Sequence, residues 1–296
     1  MRRRLSLGLI AALGLTGLVW AQDTAPPGPG FVGSFNMKPL GVEGLSALWV
    51  APDGLRVLLL SDRSFGVTGR ITRGTAGQIT RVDLSDPTPL RGRDGRDLRR
   101  GQMDSEGLAV GPTGEVFISV EGPARVFRSA KLGATPQQIG RPRDFGTLPS
   151  NGSLEALAIG PDGTLYTLPE TEATDLTPFP LFAYRAGKWT TIAQVPRSDE
   201  FLPVATDVGP DGRLYILFRG FSALSGFSTL LQRFTLTETG LGPPATLIKT
   251  GPGIHGNLEG LTVWRDPKGR LTASMVSDDN GIFLQNAELV EYHLPD

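Results

Sequence analysis

The sequence predicts an all-β protein: a β-propeller of four-stranded blades, with five blades favoured, six as the alternative, and the ring closed by an N-terminal strand. Three observations carry this reading. A unit of two short apolar runs around a Gly/Pro/Asp turn recurs along the chain, and such a unit is a β-hairpin signal. The turn glycines fall at 54, 114, 163, 212 and 269, so the repeat is 49 to 60 residues long. That length suits four strands and their turns, which is one propeller blade. The two ends of the chain, residues 31–37 and 287–294, both read as strands and can pair to close a ring without an exposed edge.

Residues 2–4 are three arginines, followed by an apolar run over 5–20 and a Val19-Trp20-Ala21 cleavage pattern. This reads as a secretory signal peptide over 1–21, cut before Gln22, with an uncleaved anchor as the alternative. A periplasmic or secreted protein follows. No other stretch is long and apolar enough for a membrane-spanning helix. Residues 22–30 are a Pro/Gly-rich arm, and 31–296 form the single propeller domain.

Losing the first three arginines leaves a net charge of about −4, which gives no argument for nucleic acid or an anionic membrane. A monomer acting on a small molecule is expected. The chain has no cysteine. It therefore has neither disulfides nor thiolate chemistry, and its stability must come from the core, ring closure and a metal if one binds.

Blade one opens at Glu43-Gly44-Leu45, turns at residues 52–54 and returns to Ser61-Asp62-Arg63. A further strand follows at 77–84. The dense charge run 91–100 reads as solvated, with an anion site as the alternative. Blade two opens at Glu106-Gly107-Leu108 and returns to Glu121-Gly122, with outer strands near 124–128 and 137–139. Blade three opens at Glu155-Ala156-Leu157 and returns to Glu170, with outer strands at 181–185 and 188–193. A long acidic connection separates the two pairs. Blade four has Val204 where the others have glutamate and Asp207 three residues further in; it returns to Arg219-Gly220. An insert at 220–228 reads as a flexible cover for the ring's mouth, and outer strands are expected near 229–237 and 245–249. Blade five opens at Glu259-Gly260-Leu261 and returns to Ser277-Asp278-Asp279-Asn280.

In a propeller the first strand of each blade lines the central channel. Glu43, Glu106, Glu155 and Glu259 start those strands and are expected to meet at one end. The second strand runs back antiparallel, so Asp62, Arg63, Glu121, Glu170, Arg219, Asp278 and Asp279 ring the same opening. Converging carboxylates need a cation, protons or arginine partners. Hard oxygen ligands favour Ca²⁺. The expected metal set is Glu43, Glu106, Glu155, Asp207, Asn257 and Glu259, and Asn151 can add an amide oxygen. Asp62, Asp278 and Asp279 can accept a proton. Arg63 and Arg219 can bind an anionic group. His255, near Asn257, is a candidate general base with an unspecialised loop histidine as the alternative; His293 reads as structural. The bland reading of the acids is a set of blade-to-blade struts.

At these residues the chain resembles a known family. Asp104-Ser-Glu-Gly-Leu-Ala, Asn151-Gly-Ser-Leu-Glu-Ala-Leu-Ala with Glu170, Thr206-Asp207 with Arg219-Gly-Phe-Ser, and Asn257-Leu-Glu-Gly-Leu with Ser277-Asp-Asp-Asn are similar to the phytase-like ("esterase-like activity of phytase") proteins. The similarity spans roughly residues 42–294. It implies an exported bacterial propeller and hydrolysis of phosphate esters or other esters. A wider likeness to calcium-dependent propeller hydrolases, such as gluconolactonases, paraoxonases and alkaline phytases, implies Ca²⁺ in an acid-lined channel. The alternative is a non-catalytic propeller that binds a ligand or protein in the cell envelope.

Overall fold

The computed structural model describes residues 27–170, 178–237, 240–279 and 287–296. The expected signal peptide, most of the expected arm and the connection after Glu170 lie outside them. The described residues form five antiparallel sheets set as blades around a channel. The inner strands are Leu45–Val50, Ser105–Val110, Ala156–Ile159, Leu202–Val208 and Asn257–Arg265. Each packs against the next, and the fifth returns to the first.

The repeated turn sets the local geometry. In every blade the inner strand ends one residue before a short loop whose first amide bonds back across it: Ala51 to Arg56, Gly111 to Glu115, Gly160 to Thr164, Gly209 to Arg213 and Asp266 to Arg270. The turn glycine has positive φ in all five, from 68° at Gly54 to 91° at Gly114, and glycine adopts that conformation without steric cost.

Blade five is closed as the terminal strands predict. Phe31–Asn36 lies outside Glu288–His293, with Phe31 opposite Tyr292 and Asn36 opposite Glu288. Blade one carries a short extra strand, Thr88–Pro89, beside its third strand. The charge run after it is solvated, with Arg91 paired to Asp97 at 2.9 Å. The insert at 220–228 is a paired ribbon instead of a loose cover. Leu214–Ser222 and Gly226–Phe234 stay in register until Ser222 meets Gly226, leaving Leu224 exposed at the tip.

The core is divided among the seams between blades. Leu48, Val57 and Leu59 of blade one pack with Trp264, Val276 and Leu289 of blade five. Corresponding clusters fill the other four seams. The alternating apolar positions of neighbouring sheets therefore face each other, and the channel-lining strands are fixed from both sides.

Candidate functional site

The mouth of the channel is built by the starts of the inner strands and the ends of the second strands. Antiparallel pairing sets Asn257 opposite Asp278, and Ser105 opposite Val120 next to Glu121. The decisive local feature is a bulge near the start of four inner strands. The pairing steps from Leu258 to Gly260 in blade five and from Ser105 to Leu108 in blade two, leaving Glu259 and Glu106 out of the ladder. A bulged residue is re-aimed relative to its neighbours, and here it is a glutamate at the channel mouth. The glycine that follows is required by packing. A Cβ on Gly107 would come 2.7 Å from the Leu157 Cβ, and one on Gly260 would come 2.8 Å from the Leu48 amide.

The same bulge explains two departures from expectation. In blade one the bulged residue is Ser46, whose hydroxyl donates to the Ser105 carbonyl at 2.6 Å. Glu43 lies three residues earlier, is exposed, and pairs with Arg63 at 2.9 Å and with Arg100 at 3.9 Å. It does not join the ring of acids, and Arg63 is turned to it. In blade four the bulged residue is Val204. Asp207 sits at the far end of that strand, opposite Tyr215, where its Oδ2 accepts from the Val263 amide at 2.7 Å. Asp207 is thus at the opposite opening, in a mostly apolar cavity of about 290 Å³ that includes Leu48, Val110 and Ile159.

His255 is also displaced from the mouth. Its buried ring meets the Tyr292 hydroxyl at 2.6 Å and lies 3.5 Å from Glu288, on the third strand of blade five. That placement serves the blade and not the channel acids. His293 bonds Thr272 at 3.2 Å on the same blade.

The remaining acids converge. Asp104, Glu106 and Glu121 each offer an oxygen within 4.8 Å of the others. Burial, a hydrogen bond to Asp104, and the charges of Glu259, Asp104 and Glu121 push the Glu106 carboxyl well above its ordinary range. Burial and the charges of Glu106, Glu170 and Glu121 do the same to Glu155. Glu259 is raised to about 8, by burial above all and by Asp278, against the opposing pull of Arg219. Asp62 is raised by burial and by Asp104 and Asp279, while Arg63 opposes the rise. Asp278 and Asp279 are buried. Proximity of like charges in a partly dry site has one relief besides protonation, which is a cation.

Arg219 supplies part of that relief. Its guanidinium donates to Asn257 at 2.7 Å, to Glu259 at 2.5 Å and to Glu170. It ties blades three, four and five together, and Asn257 donates in turn to Glu259 at 2.7 Å. Arg219 and Asn257 are therefore committed to the acids. Glu121 accepts from the Ser153 amide at 2.7 Å, while the Ser153 hydroxyl, fully buried beside it, has no partner among the described residues.

Asp104 and Glu121 are the residues that sequence reasoning did not assign to the metal. Glu121 was placed on the rim. Asp104 is visible only as the first member of Asp104-Ser105-Glu106, just before the strand, and its place across from Glu121, whose amide donates to the Asp104 carbonyl at 3.0 Å, is set by the pairing of the two strands.

No curated protein matches the chain. Among solved structures, the calcium-binding protein regucalcin from Agrobacterium tumefaciens aligns with a TM-score of 0.51 at 9% identity, covering 86% of this chain and 92% of that one. A gluconolactonase from Xanthomonas campestris aligns at 0.41 and 17% identity over 81% and 69% of the two chains. An aldose sugar dehydrogenase from Streptomyces coelicolor aligns at 0.45 and 16% identity over 86% and 95%. At such identities the likeness is one of fold. The family model described as "Phytase-like: Esterase-like activity of phytase" matches residues 40–281, and the chain belongs to that family.

Proposed function

We propose that this protein is a Ca²⁺-dependent hydrolase of phosphate esters, carboxylic esters or lactones, working at the acidic mouth of the channel. The observation that carries the reading is the convergence of Asp104, Glu106 and Glu121 beside the unpartnered hydroxyl of Ser153. The donor set fits the ion: all oxygen, several of them carboxylate, with no thiolate and no histidine among them. Asp104, Glu106 and Glu121 would hold it, with Glu155 adjoining. When bound, it supplies a Lewis acid that polarises the ester oxygen and acidifies a water.

The chain's own groups divide the remaining work. Asp62, Asp278 and Asp279 line the opening and serve as proton acceptors. Glu259, raised to about 8 where no ion is bound, is the candidate donor of a proton to a leaving oxygen. Arg219 holds Glu259 and Glu170 in place through the hydrogen bonds described above. It is a positioning residue in this reading.

The test is a calorimetric titration of Ca²⁺ into the chelator-treated protein. About one ion per chain is expected. Glu106→Gln is expected to weaken it by about tenfold or more, roughly 1.4 kcal/mol, while the protein still melts cooperatively. Unchanged affinity in that variant removes Glu106 from the metal site. No binding by folded wild-type protein overturns the reading. The three-blade network of Arg219 would then favour the second one, a non-catalytic envelope module whose acids are struts.

Export to the periplasm or beyond belongs to the same proposal and rests on residues 1–21. Protein recovered from the periplasm or medium is expected to begin at Gln22. A chain that stays in the cytoplasm with Met1 intact contradicts it.

A further inference from the structure

Of the three acids that converge, Glu106 lies within Ser105–Val110 and Glu121 directly follows Val116–Val120. Asp104 comes just before the first of these strands and is exposed. Residues 99–103, which lead into it, belong to no strand, so the sheet does not hold Asp104 on that side. What holds it there comes from blade one.

The tie starts from an unusual residue. The second and third strands of blade one, Arg56–Ser61 and Phe65–Arg73, are joined by a three-residue hairpin loop, with Ser61 opposite Phe65. The last residue of such a loop commonly takes the left-handed conformation, where glycine is preferred. Here that residue is Ser64, buried, with φ of 65°. A side chain in that conformation is strained and persists when its surroundings over-determine it. The Ser64 hydroxyl accepts from the Met103 amide at 2.8 Å and donates to the Met103 carbonyl at 2.8 Å. One side chain thus takes both backbone groups of the residue next to Asp104. A glycine in the loop would leave both without that partner.

The other side of Asp104 is tied as well. The Ser105 hydroxyl donates to the Ser61 carbonyl at 2.7 Å, and the Ser46 hydroxyl donates to the Ser105 carbonyl. Ser105 is already placed by its pairing with Val120. Met103 lies outside the pairing, so Ser64 fixes the part of the segment that the sheet leaves loose.

We propose that Ser64 is a positioning residue for the ion site: by clamping Met103 it sets Asp104 where its carboxylate meets Glu106 and Glu121. The inference rests on the ion-binding reading given above and adds the residue that prepares the site. A ligand fixed before the ion arrives loses less freedom on binding. Partners that orient metal ligands commonly contribute about tenfold to a hundredfold in affinity.

The test is Ca²⁺ calorimetry on the chelator-treated protein with two substitutions at this position. Ser64→Gly removes the hydroxyl and gives the loop the residue its backbone prefers, so the ion-free variant is expected to melt cooperatively. Its Ca²⁺ affinity is expected to fall by about tenfold or more. Ser64→Cys keeps the size and the strain, and its thiol is a weak donor and acceptor, so its affinity is expected between those of wild type and Ser64→Gly. Action through Asp104 is read in an Asp104→Asn background. There Ser64→Gly is expected to cost less than about twofold, because the ligand it positions is gone. Equal affinity in wild type, Ser64→Cys and Ser64→Gly overturns the proposal, and Ser64→Cys alone decides it if the glycine variant does not fold. The same loss with and without Asp104 also overturns it, because Ser64 then acts by another route. Failure of the hydrolase reading has a different signature, no Ca²⁺ isotherm in folded wild-type protein.

Discussion

One residue position decides most of the chemistry at the mouth. The bulge places Glu106 in blade two and Glu259 in blade five, but Ser46 in blade one and Val204 in blade four. The Glu-Gly-Leu triplet therefore means different things in different blades. In blades two and five its glycine lets neighbouring inner strands approach. In blade one Gly44 takes φ of 65° just before the inner strand, where a Cβ would sit 2.1 Å from the Asp62 Oδ1. Asp207 is the second instructive residue. It anchors blade four to blade five from the far opening, and burial lifts its carboxyl to about 7 despite the Val263 and Val208 amides. The folded state thus holds a proton that the unfolded chain has lost between about pH 3.8 and 7, and stability falls as pH rises through that window. Asp207→Asn is expected to match wild type near pH 4 and to become the more stable of the two toward pH 8. The gain is on the order of 2 kcal/mol, below the full value of the shift because the side chain keeps one edge toward the opening. Thermal melts of both proteins at several pH values check this. A constant difference across the range would show that Asp207 acts only through its hydrogen bonds.

At the scale of elements, the N-terminal strand Phe31–Asn36 is the piece that makes the ring a closed object. It covers the Glu288–His293 edge, and Ser34 donates to Glu288 at 2.5 Å. Beside it, Arg73 of blade one makes two hydrogen bonds to Glu291, at 2.5 and 2.9 Å, and Ser274 and Trp264 continue the network. The seam between the first and last blades is thus fastened by a sheet and by a buried ion pair. A chain beginning at Lys38 leaves the edge strand unpaired and strips cover from that seam. It is expected to lose cooperative melting or to aggregate, as read by circular dichroism and light scattering. A soluble truncated chain with the melting temperature of the full protein would show that the strand is dispensable. The terminal strands were legible in the sequence because both are apolar, short and flanked by turn residues. The ribbon at 220–228 was not. Its glycines and serines suggest a loose loop, yet cross-strand pairing and the contact between Phe221 and Phe227, with centroids 4.9 Å apart, continue the sheet through it.

For the molecule as a whole, the channel has two unlike ends, an acidic mouth and an apolar opening with Asp207 at its wall. The sequence by itself determined the class of fold, the number and order of blades, and the gathering of most acids on one face. Those follow from periodicity: a hairpin repeated at a near-constant spacing with fixed turn chemistry can bury its apolar faces only against copies of itself. Only the tertiary structure decided which acids meet. A bulge moves a residue from one face to another without leaving a mark in the hydrophobic pattern, so Glu43 and Glu106 look alike as letters and differ as positions. Asp207 differs in kind: it lies three residues past the bulged Val204 and two before the turn at Gly209, so its place in the strand carries it to the far opening.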